Sequence, residues 1–457
     1  MLVHEPYLIV LGAGESGIWS AVLARQKGYQ VLLSDSANIS EEYKEMCQSL
    51  GILFEEGGHR LPRLSEAEAV IKSPGIPDHA EVVRRCIAAD IPVLSEIEFA
   101  ARYVGDSHLI AITGSNGKTT TTSLVAHLLR TGGLDAKACG NIGISLAQLV
   151  SREPHEWYVL ELSSFQLDHM YDFRAEVAIL TNITPDHLDR YDHKLDNYAD
   201  AKGRIFNNQT PSDTAIYSAE DPQTLRLWDR RSKPLGQNLT FTLTEEPGLA
   251  PNAFTHNGDL CWRIGDVTYS CAYADIPLQG PHNRLNMLAA GLAAHTCGVS
   301  FDHIEEGLRS FLPIEHRMEP CGEPGGVRFI NDSKATNIDS TLHALNAMPT
   351  GRTVLLLGGT DKGNDYNDIL PEVSRVAKAL IFLTMDSRKL HHTFDPLGLP
   401  TADAHSMDEA FDFITSLDLR EGDVVLLSPA CASFDLFHNY EERGRIFKEM
   451  VSQLAKK

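Results

Sequence analysis

The chain lacks the features that mark disulfide-bonded, zinc-binding and membrane-spanning proteins. Its eight cysteines are scattered and include no Cys-x-x-Cys pair, which argues against a zinc site or a disulfide framework and indicates a reducing compartment. No apolar run approaches the roughly 20 residues that a bilayer-spanning helix needs. The start of the chain lacks the basic residues and apolar core of a signal peptide. These absences predict a cytoplasmic protein without membrane insertion.

Basic residues are also few. The chain has 40 lysines and arginines against 62 acidic residues, for a net charge of −22. A protein that binds nucleic acid needs a broad basic face to neutralise phosphates, so we expect no nucleic-acid partner. Anionic ligands must instead be bound by local clusters of basic residues, so basic residues inside motifs are candidates for ligand binding. A length of 457 residues suggests two to four domains.

Residues 113–120, Thr-Gly-Ser-Asn-Gly-Lys-Thr-Thr, are the most informative stretch. An apolar run precedes them and an apolar-periodic run follows, which predicts a strand, a glycine loop and a helix. Such a loop directs backbone N–H groups at a phosphate chain, while Lys118 supplies a point charge and Thr119 a hydroxyl for Mg²⁺. Ile112 replaces the first glycine of the general pattern, so the loop is a shortened variant. The predicted ATP-binding residues are Gly114, Ser115, Asn116, Gly117, Lys118, Thr119 and Thr120.

A second glycine motif, Gly-Ala-Gly-Glu-Ser-Gly at residues 12–17, follows the first predicted strand and opens a helix. With Asp35 at the end of the next strand, it matches the dinucleotide-binding pattern. Three interpretations remain open: an NAD-dependent oxidoreductase, a site for the nucleotide part of a substrate, or a purely structural turn. Glu15 weighs against NAD because it places a negative charge where a pyrophosphate would bind. Ser73, in a turn after the third strand, would line the same crevice.

Short apolar runs alternate with helical patterns along the chain, which predicts α/β domains built on parallel sheets. We expect a Rossmann-like domain at 1–97, a P-loop ATPase-type domain with a small antiparallel sheet at 98–313, and a Rossmann-like domain at 314–457. The predicted strands lie at 7–11, 31–33, 69–71, 92–94, 158–160, 177–180, 327–330, 354–357, 380–383 and 424–427. The predicted helices lie at 16–27, 96–103 and 283–295, and the small antiparallel sheet at 239–277.

Three further side chains suggest metal chemistry in the central segment. Glu161 lies at the carboxyl end of a predicted strand beside the phosphate loop, where a carboxylate can hold Mg²⁺ directly or through water. His187 stands among acidic and amide residues after the next strand, and both a second-metal ligand and an ordinary packed histidine fit it. Lys202 lies in a predicted helix, and the sequence by itself favours an ordinary surface lysine.

Polar turns follow three predicted strands of the last segment, at residues 331–337, 358–363 and 428–435. Each alone is compatible with a simple helix cap. Because the carboxyl ends of parallel strands meet at one edge of a sheet, their joint occurrence predicts a substrate crevice. Cys431 has no basic neighbour in the sequence, so we expect a buried thiol rather than a nucleophile.

Taken together, these motifs resemble those of the Mur ligase family, in the expected order from position 12 to about 440. The segments 140–143, 282–283 and 316–317 also match. The resemblance implies a three-domain ligase that uses ATP and two Mg²⁺ ions. It would convert the carboxylate of UDP-N-acetylmuramoyl-L-alanine to an acyl phosphate and join it to D-glutamate. A relative that joins another amino acid is the alternative. We expect a monomer.

The resemblance also implies residue roles. Lys118 would contact the ATP phosphates, Thr119 and Glu161 the first Mg²⁺, and His187 the second, together with a carbamylated Lys202. Further ATP contacts would be Asn283, Asn286, Arg317 and Asp332, with Lys334 as a catalytic residue in the same loop. The UDP-sugar would contact Ser16, Asp35, Ser36, Ser73, Asn141, Ser163 and Gln166. D-Glutamate would contact Thr336, Lys362, Ser433, Phe434 and Tyr440.

Overall fold

The structure is a computed structural model that describes residues 6–244, 250–312, 315–361 and 364–455. The chain forms two compact units, Met1–Phe311 and Leu312–Lys457. Both are α/β, as the alternating pattern predicted. The boundary expected at 97/98 falls within a helix of the first unit, and the one expected at 313/314 lies outside the described residues. The three-domain division therefore stays a prediction.

The first unit begins with a wholly parallel sheet. Over residues 6–95 it contains five strands in the order β3-β2-β1-β4-β5. Its first strand is an unbroken buried apolar run because both faces of such a sheet are covered by helices. The strand order reverses between β1 and β4, which opens a crevice at their carboxyl ends. The elements are β1 (Tyr7–Leu11), α1 (Glu15–Gln26), β2 (Gln30–Ser34), α2 (Glu41–Leu50), β3 (Leu53–Glu55), β4 (Ala69–Lys72), α3 (Glu81–Ala88), β5 (Val93–Ser95) and α4 (Glu96–Ala101).

A larger mixed sheet follows in the same unit. Within the described residues it has nine strands, ordered β14-β13-β12-β11-β10-β9-β6-β8-β7. Its elements are β6 (His108–Thr113), α5 (Lys118–Thr131), β7 (Ala136–Gly140), α6 (Leu146–Arg152), β8 (Trp157–Glu161), α7 (Ser164–Leu167), β9 (Val177–Leu180), α8 (Leu195–Gly203), β10 (Thr214–Ser218), α9 (Pro222–Arg230), β11 (Gln237–Phe241), β12 (Ala253–His256), β13 (Asp259–Ile264), β14 (Val267–Cys271), α10 (Pro281–Thr296) and α11 (Phe301–Ser310).

Strand β6 lies between β8 and β9, so the segments that follow these three strands share one edge of the sheet. The antiparallel strands expected at 239–277 are present as β12–β14. As expected, they are appended to the central sheet, which they extend at one edge because β12 pairs with β11.

The second unit has one sheet. In its described part the strand order is β15-β16-β20-β17-β18-β19, parallel except for β15. Strand β20, late in the chain, lies between β16 and β17. The elements are β15 (Glu319–Gly322), β16 (Arg328–Asn331), α12 (Ile338–Asn346), β17 (Thr353–Leu357), α13 (Leu370–Val376), β18 (Ala377–Leu383), α14 (Arg388–Phe394), β19 (Thr401–Ala404), α15 (Met407–Ser416), β20 (Val424–Leu427) and α16 (Tyr440–Leu454).

Two expectations based on absences can be compared with the structure. All eight cysteines are free, in agreement with their scattered spacing. In the part of the chain that the structure describes, no helix combines the length and apolarity that crossing a membrane requires.

Candidate functional site

The phosphate loop between β6 and α5 is built around two glycines with positive φ. Gly114 has φ 149° and Gly117 has φ 81°. A Cβ at Gly114 would overlap Thr181 Oγ1, and one at Gly117 would overlap Asn286 Oδ1. The backbone of this loop is therefore closely packed, and only glycine fits at either position.

Side chains and backbone after β9 hold the loop in place. Asn182 accepts hydrogen bonds from the N–H groups of Ser115 and Asn116, each at 2.9 Å, through its carbonyl and its side-chain oxygen respectively. Ser115 Oγ donates to Thr184 O at 2.9 Å. The loop conformation is thus fixed by contacts within the sheet edge, as a preformed phosphate site requires.

Two lysines converge on one backbone oxygen of the loop. Lys118 Nζ donates to the carbonyls of Gly114 at 2.9 Å and Ser115 at 2.8 Å, and Lys202 Nζ donates to Gly114 O at 2.7 Å. Lys202 is 1% exposed, so the interpretation of it as a surface lysine is wrong. Helix α8 turns it inward, and its Nζ lies 4.4 Å from the ring centre of Tyr198. Burial, and then the charge of Lys118, lower the pKa of Lys202 well below its ordinary value.

Glu161, the last residue of β8, has an unsatisfied oxygen. Its side chain is buried, and Oε1 accepts a hydrogen bond from Asn141 Nδ2 at 2.9 Å. Oε2 is buried without a hydrogen-bond partner. A buried carboxylate oxygen without a donor is costly unless a cation or water completes it. With the buried Thr119 in the first turn of α5, this oxygen fits a Mg²⁺ site.

No group of three His, Cys, Asp or Glu side chains among the described residues is arranged to hold a metal by itself. This agrees with Mg²⁺ chemistry, because Mg²⁺ commonly binds through one or two protein oxygens, water and the phosphates of its nucleotide. The buried Thr119 and the Glu161 oxygen that lacks a hydrogen-bond partner fit the protein oxygens of such an ion.

A cavity of about 260 Å³ lies beside the loop. It brings together five of the residues expected in the site, namely Lys118, Asn141, Ser163, His187 and Lys202. Asn286, near the start of α10, lies against Gly117 of the loop, and its Oδ1 accepts a hydrogen bond from Thr121 Oγ1 at 3.3 Å. Its Nδ2 donates to Asn283 Oδ1 at 3.2 Å. The rest of the cavity lining consists of Pro74, Gly75, Ser164, Phe165, Asp186, Arg190 and Tyr198.

Arg190, Phe165 and Tyr198 are among the lining residues that were not singled out from the sequence. Arg190 stacks its guanidinium 4.0 Å from the centre of the Phe165 ring and donates to Pro74 O at 3.3 Å. His187 contacts the same ring edge-on, with the ring centres 5.2 Å apart. The spacing of Tyr198 four residues before Lys202 was a usable signal, because it places both on one helix face. The Arg190–Phe165 stack depends on tertiary structure alone.

The residues expected to contact the nucleotide part of a substrate lie at the crevice of the first sheet. Asp35 accepts hydrogen bonds from the N–H groups of Ala13 at 2.6 Å and Ala37 at 2.8 Å. Ser73 Oγ is buried without a hydrogen-bond partner. Ser16 is half-buried and Ser36 is exposed. These four residues are not part of the cavity lining, although Ser73 precedes Pro74 and Gly75, which are.

In the second unit, the three polar turns come together as predicted. They follow β16, β17 and β20, which are neighbours in the sheet. Ser428 Oγ donates to Asp332 Oδ2 at 2.8 Å, and Thr360 N donates to Ala432 O at 2.8 Å. Lys362 lies outside the described residues. The three turns therefore share one edge of this sheet, and the substrate crevice expected there stays a prediction.

The remaining expected residues of this unit surround those turns. Lys334 Nζ lies 5.2 Å from the ring centre of Tyr440, at the start of α16. Thr336 donates its N–H to Lys334 O, Ser433 is buried, and Phe434 is 71% exposed. Burial has the largest effect on the pKa of Asp332 and raises it, whereas the positive charge of the half-buried Arg317 lowers it. Cys431 is buried, which raises the pKa of its thiol and disfavours the nucleophilic thiolate.

Asp332 gives a pH-dependent prediction. Burial raises its pKa to about 7, against about 3.9 in an unfolded chain. The folded protein therefore holds this proton more tightly, and stability falls as pH rises from about 4 to 7 and is level above that. An asparagine side chain at this position cannot ionise. Its Oδ1 can still accept from Met318 N, and its Nδ2 can donate to Ser428 Oγ, which reverses the hydrogen bond that Ser428 donates to Asp332. We expect Asp332→Asn to exceed the parent in stability above pH 7 by up to about 4 kcal/mol, measured by urea unfolding between pH 5 and 8.

Asp423 is the matched control for this measurement. It is also buried, which by itself would raise its pKa, but the hydrogen bonds from Lys378 Nζ and Arg420 N, together with the nearby positive charges, lower the pKa. Asp423→Asn is expected to lose stability at neutral pH. A parent and an Asp332→Asn variant with the same pH dependence would contradict the prediction.

Comparison with known proteins covers most of the chain. Residues 8–82 match the MurD N-terminal domain, residues 112–294 the Mur ligase middle domain, and residues 316–431 the Mur ligase glutamate ligase domain. A UDP-N-acetylmuramoylalanine--D-glutamate ligase of Porphyromonas gingivalis is 48% identical over 447 residues, which cover 98% of each chain. The protein of the same name from Bacteroides fragilis is 46% identical over 449 residues, 98% of this chain and 99% of that one.

Solved structures share the fold at much lower identity. The UDP-N-acetylmuramate-alanine ligase MurC of Thermotoga maritima has a TM-score of 0.60 at 19% identity and covers 98% of this chain and 100% of its own. The MurF ligase of the same organism, solved with ADP, has a TM-score of 0.61 at 15% identity, with 93% and 95% covered. On these matches, the chain belongs to the Mur ligase family.

Proposed function

We propose that the protein is an ATP-dependent ligase that adds D-glutamate to UDP-N-acetylmuramoyl-L-alanine in the synthesis of peptidoglycan precursors. The observation that carries this proposal is the end-to-end similarity, up to 48% identity, to relatives with that activity in their names. The arrangement of the half-buried Lys118 with the buried Glu161 and Lys202 at the phosphate loop supports it. A cytoplasmic location and a monomeric state remain predictions.

The chemistry requires activation of a carboxylate, which is a poor electrophile without a leaving group. Transfer of the γ-phosphoryl group of ATP to the terminal carboxylate of the UDP-sugar peptide gives an acyl phosphate. The amine of D-glutamate then attacks the acyl carbon, the tetrahedral intermediate expels phosphate, and an amide is formed. Fixed positive charges and N–H groups around the phosphoryl and tetrahedral oxygens supply most of the rate enhancement.

In this proposal the loop N–H groups and Lys118 bind the phosphate chain. Thr119 and Glu161 would hold one Mg²⁺, and His187 with carbamylated Lys202 a second; the ions would neutralise phosphate charge. Asn141 orients Glu161 through the hydrogen bond between Nδ2 and Oε1. Asn283, Asn286, Arg317 and Asp332 are the further proposed ATP contacts, with Lys334 as a catalytic residue.

The two substrates are assigned to different sheets. We assign the UDP-sugar to Ser16, Asp35, Ser36, Ser73, Asn141, Ser163 and Gln166. D-Glutamate is assigned to Thr336, Lys362, Ser433, Phe434 and Tyr440. The joint position of the turns after β16, β17 and β20 supports the second assignment, since these turns form one polar edge.

The test is the release of inorganic phosphate by the purified full chain. We expect release only when ATP, Mg²⁺, UDP-N-acetylmuramoyl-L-alanine and D-glutamate are all present. Phosphate leaves only after the carboxylate has been phosphorylated and the amine of D-glutamate has attacked the acyl phosphate. Separate reactions with L-alanine, L-lysine or a diamino acid in place of D-glutamate are the controls. Equal turnover with any of them would assign the protein to another member of the family, and turnover without any amino acid would refute the ligase proposal.

A further inference from the structure

Two buried polar side chains connect the first sheet with the wall of the cavity. Glu96 begins α4, directly after β5, and Gln166 lies in the short helix α7. Glu96 is 3% exposed and Gln166 2% exposed. Gln166 Nε2 donates to Glu96 Oε1 at 2.7 Å. A buried hydrogen bond to a carboxyl group is among the stronger polar contacts in a protein.

The other end of the Gln166 amide holds Ser163. Its Oε1 accepts hydrogen bonds from Ser163 N at 2.8 Å and Ser163 Oγ at 2.9 Å. Ser163 in turn caps α7 by accepting from Gln166 N. Glu96 therefore determines which end of the amide faces Ser163, because its carboxyl takes the Nε2 group. Ser163 is part of the cavity lining, whereas Glu96 and Gln166 are not.

A second set of contacts, at the ends of β4 and β5, holds another part of the cavity wall. Lys72, the last residue of β4, is paired in register with Ser95 of β5. Lys72 Nζ donates to Ile76 O at 2.8 Å and lies 3.2 Å from Asp78 Oδ1. It thereby holds the turn that carries the lining residues Pro74 and Gly75.

Asp78 and His169 connect the Lys72 contacts with the Glu96–Gln166 contacts. Asp78 Oδ1 is 2.8 Å from His169 Nε2, and His169 O accepts from Ser95 N at 3.0 Å. Glu96 follows Ser95 directly, and His169 follows Gln166 by three residues. The paired ends of β4 and β5 thus hold both the Ser73–Pro77 turn and the Ser163 segment.

The hydrogen bonding of the Glu96 carboxyl is incomplete, which is not expected of a purely structural contact. Its Oε2 is buried without a hydrogen-bond partner. Burial also raises the pKa of this carboxyl, so the site is unfavourable for its ionised form. An apolar pair of similar volume would join the two elements at lower cost. The arrangement is therefore better explained by the orientation that it imposes on Gln166.

We propose that Glu96 is a positioning residue for the UDP-sugar peptide, which acts through Gln166 to fix Ser163 on the cavity wall. This inference rests on the proposed function, because it assigns the cavity to that substrate. Glu96 itself touches no reacting atom. Its effect is on the binding and alignment of the acceptor, and the binding of ATP does not depend on it.

The experiment compares steady-state kinetics of Glu96→Met, Glu96→Gln and Gln166→Met with those of the parent. Loss of a buried hydrogen bond to a carboxyl group predicts about a tenfold rise in KM for the UDP-sugar peptide in Glu96→Met, with the KM for ATP unchanged. Glu96→Gln keeps an acceptor for Gln166 Nε2 and is expected to stay within about threefold of the parent. The double variant Glu96→Met/Gln166→Met is expected to be no worse than either single variant.

Glu98 provides the matched structural control. It lies on the same helix, is 1% exposed, and accepts hydrogen bonds from the N–H groups of Tyr171, Asp172 and Phe173. Glu98→Met is expected to lower the thermal unfolding midpoint without a change in the KM for the UDP-sugar peptide.

The possible outcomes separate the two proposals. A parent without activity on UDP-N-acetylmuramoyl-L-alanine would remove the proposed function. An active parent, together with a Glu96→Met variant that loses stability at unchanged KM, would remove only the positioning role. Additive effects of the two single substitutions would also overturn it, because independent residues do not act through one another.

Discussion

Lys202→Ala is expected to lower ATP-dependent amide formation by about a thousandfold, and short-chain carboxylates such as acetate are expected to restore part of the activity. The physical reason is the state of the amine. Lys202 is 1% exposed, and burial beside Lys118 lowers its pKa. A neutral lysine amine can react with CO₂ to give a carbamate and a proton, and the carbamate is an anion that suits Mg²⁺. A small carboxylate can occupy the space that alanine leaves.

The measurement is phosphate release at saturating substrates, with and without added acetate, for the parent, Lys202→Ala and a control variant. Lys194 is the control because it is exposed and precedes the same helix, so Lys194→Ala tests the effect of removing a lysine from this region. We expect parent-like rates for the control. Full activity of Lys202→Ala without acetate would remove this lysine from the reaction. Loss without rescue, together with a lowered unfolding midpoint, would leave it a structural role only.

Gly117→Ala is expected to reduce kcat/KM for ATP by at least about a hundredfold. The residue has φ 81°, and an added Cβ would overlap Asn286 Oδ1. Asn286 cannot easily move, because it is 4% exposed and hydrogen-bonded to Asn283 and Thr121. The loop must therefore shift, which misdirects the N–H groups that receive the phosphates. A displacement of about 1 Å in a site of this kind is enough for such a loss.

Gly133 is a closely matched control at the opposite end of α5. It has φ 85°, but a Cβ there meets no heavy atom within 4 Å. Gly133→Ala carries the same backbone penalty, about 1 kcal/mol, without the overlap. We expect a lower unfolding midpoint for Gly117→Ala than for Gly133→Ala, because only the former adds the overlap, and normal ATP kinetics only for Gly133→Ala. Equal kinetic losses in both variants would show that backbone strain, and not the packing against Asn286, controls the loop.

The sequence was sufficient for the central strands of each sheet. The strands Tyr7–Leu11, Val177–Leu180 and Val424–Leu427 were predicted to the residue. Each is a short continuous apolar run that ends at a polar turn, which is the pattern of a strand buried on both faces. The polar turns that follow such strands were predicted for the same reason.

The edge strands β3 and β15 were not predicted, because their residues are not selected by burial. Leu53–Glu55 is a three-residue edge strand with an exposed leucine, and Glu319–Gly322 contains a proline and a glycine. Neither has the periodicity that identifies a strand. The antiparallel strands and their attachment to the central sheet were predicted, but the pairing between β11 and β12 that attaches them is not encoded in local patterns.

For the site, the sequence showed which motifs carry chemistry, but it did not show which of their side chains are buried. Glu161 and the glycine loop were placed correctly, since both lie directly at strand ends. Lys202 was interpreted as exposed because a helical lysine usually is. Its partner, the carbonyl of Gly114, is 88 residues away in the sequence. Glu96 was missed for the same reason, as the Gln166 amide is 70 residues away.

The position of β20 has a consequence for how the second unit is made. This strand fills the gap between β16 and β17, yet it is synthesised more than sixty residues after both. Until it leaves the ribosome, the facing edges of those two strands have no partner, and open edges favour association with other chains. A truncation before Val424 would therefore divide this sheet, not merely shorten it, and we expect such fragments to aggregate.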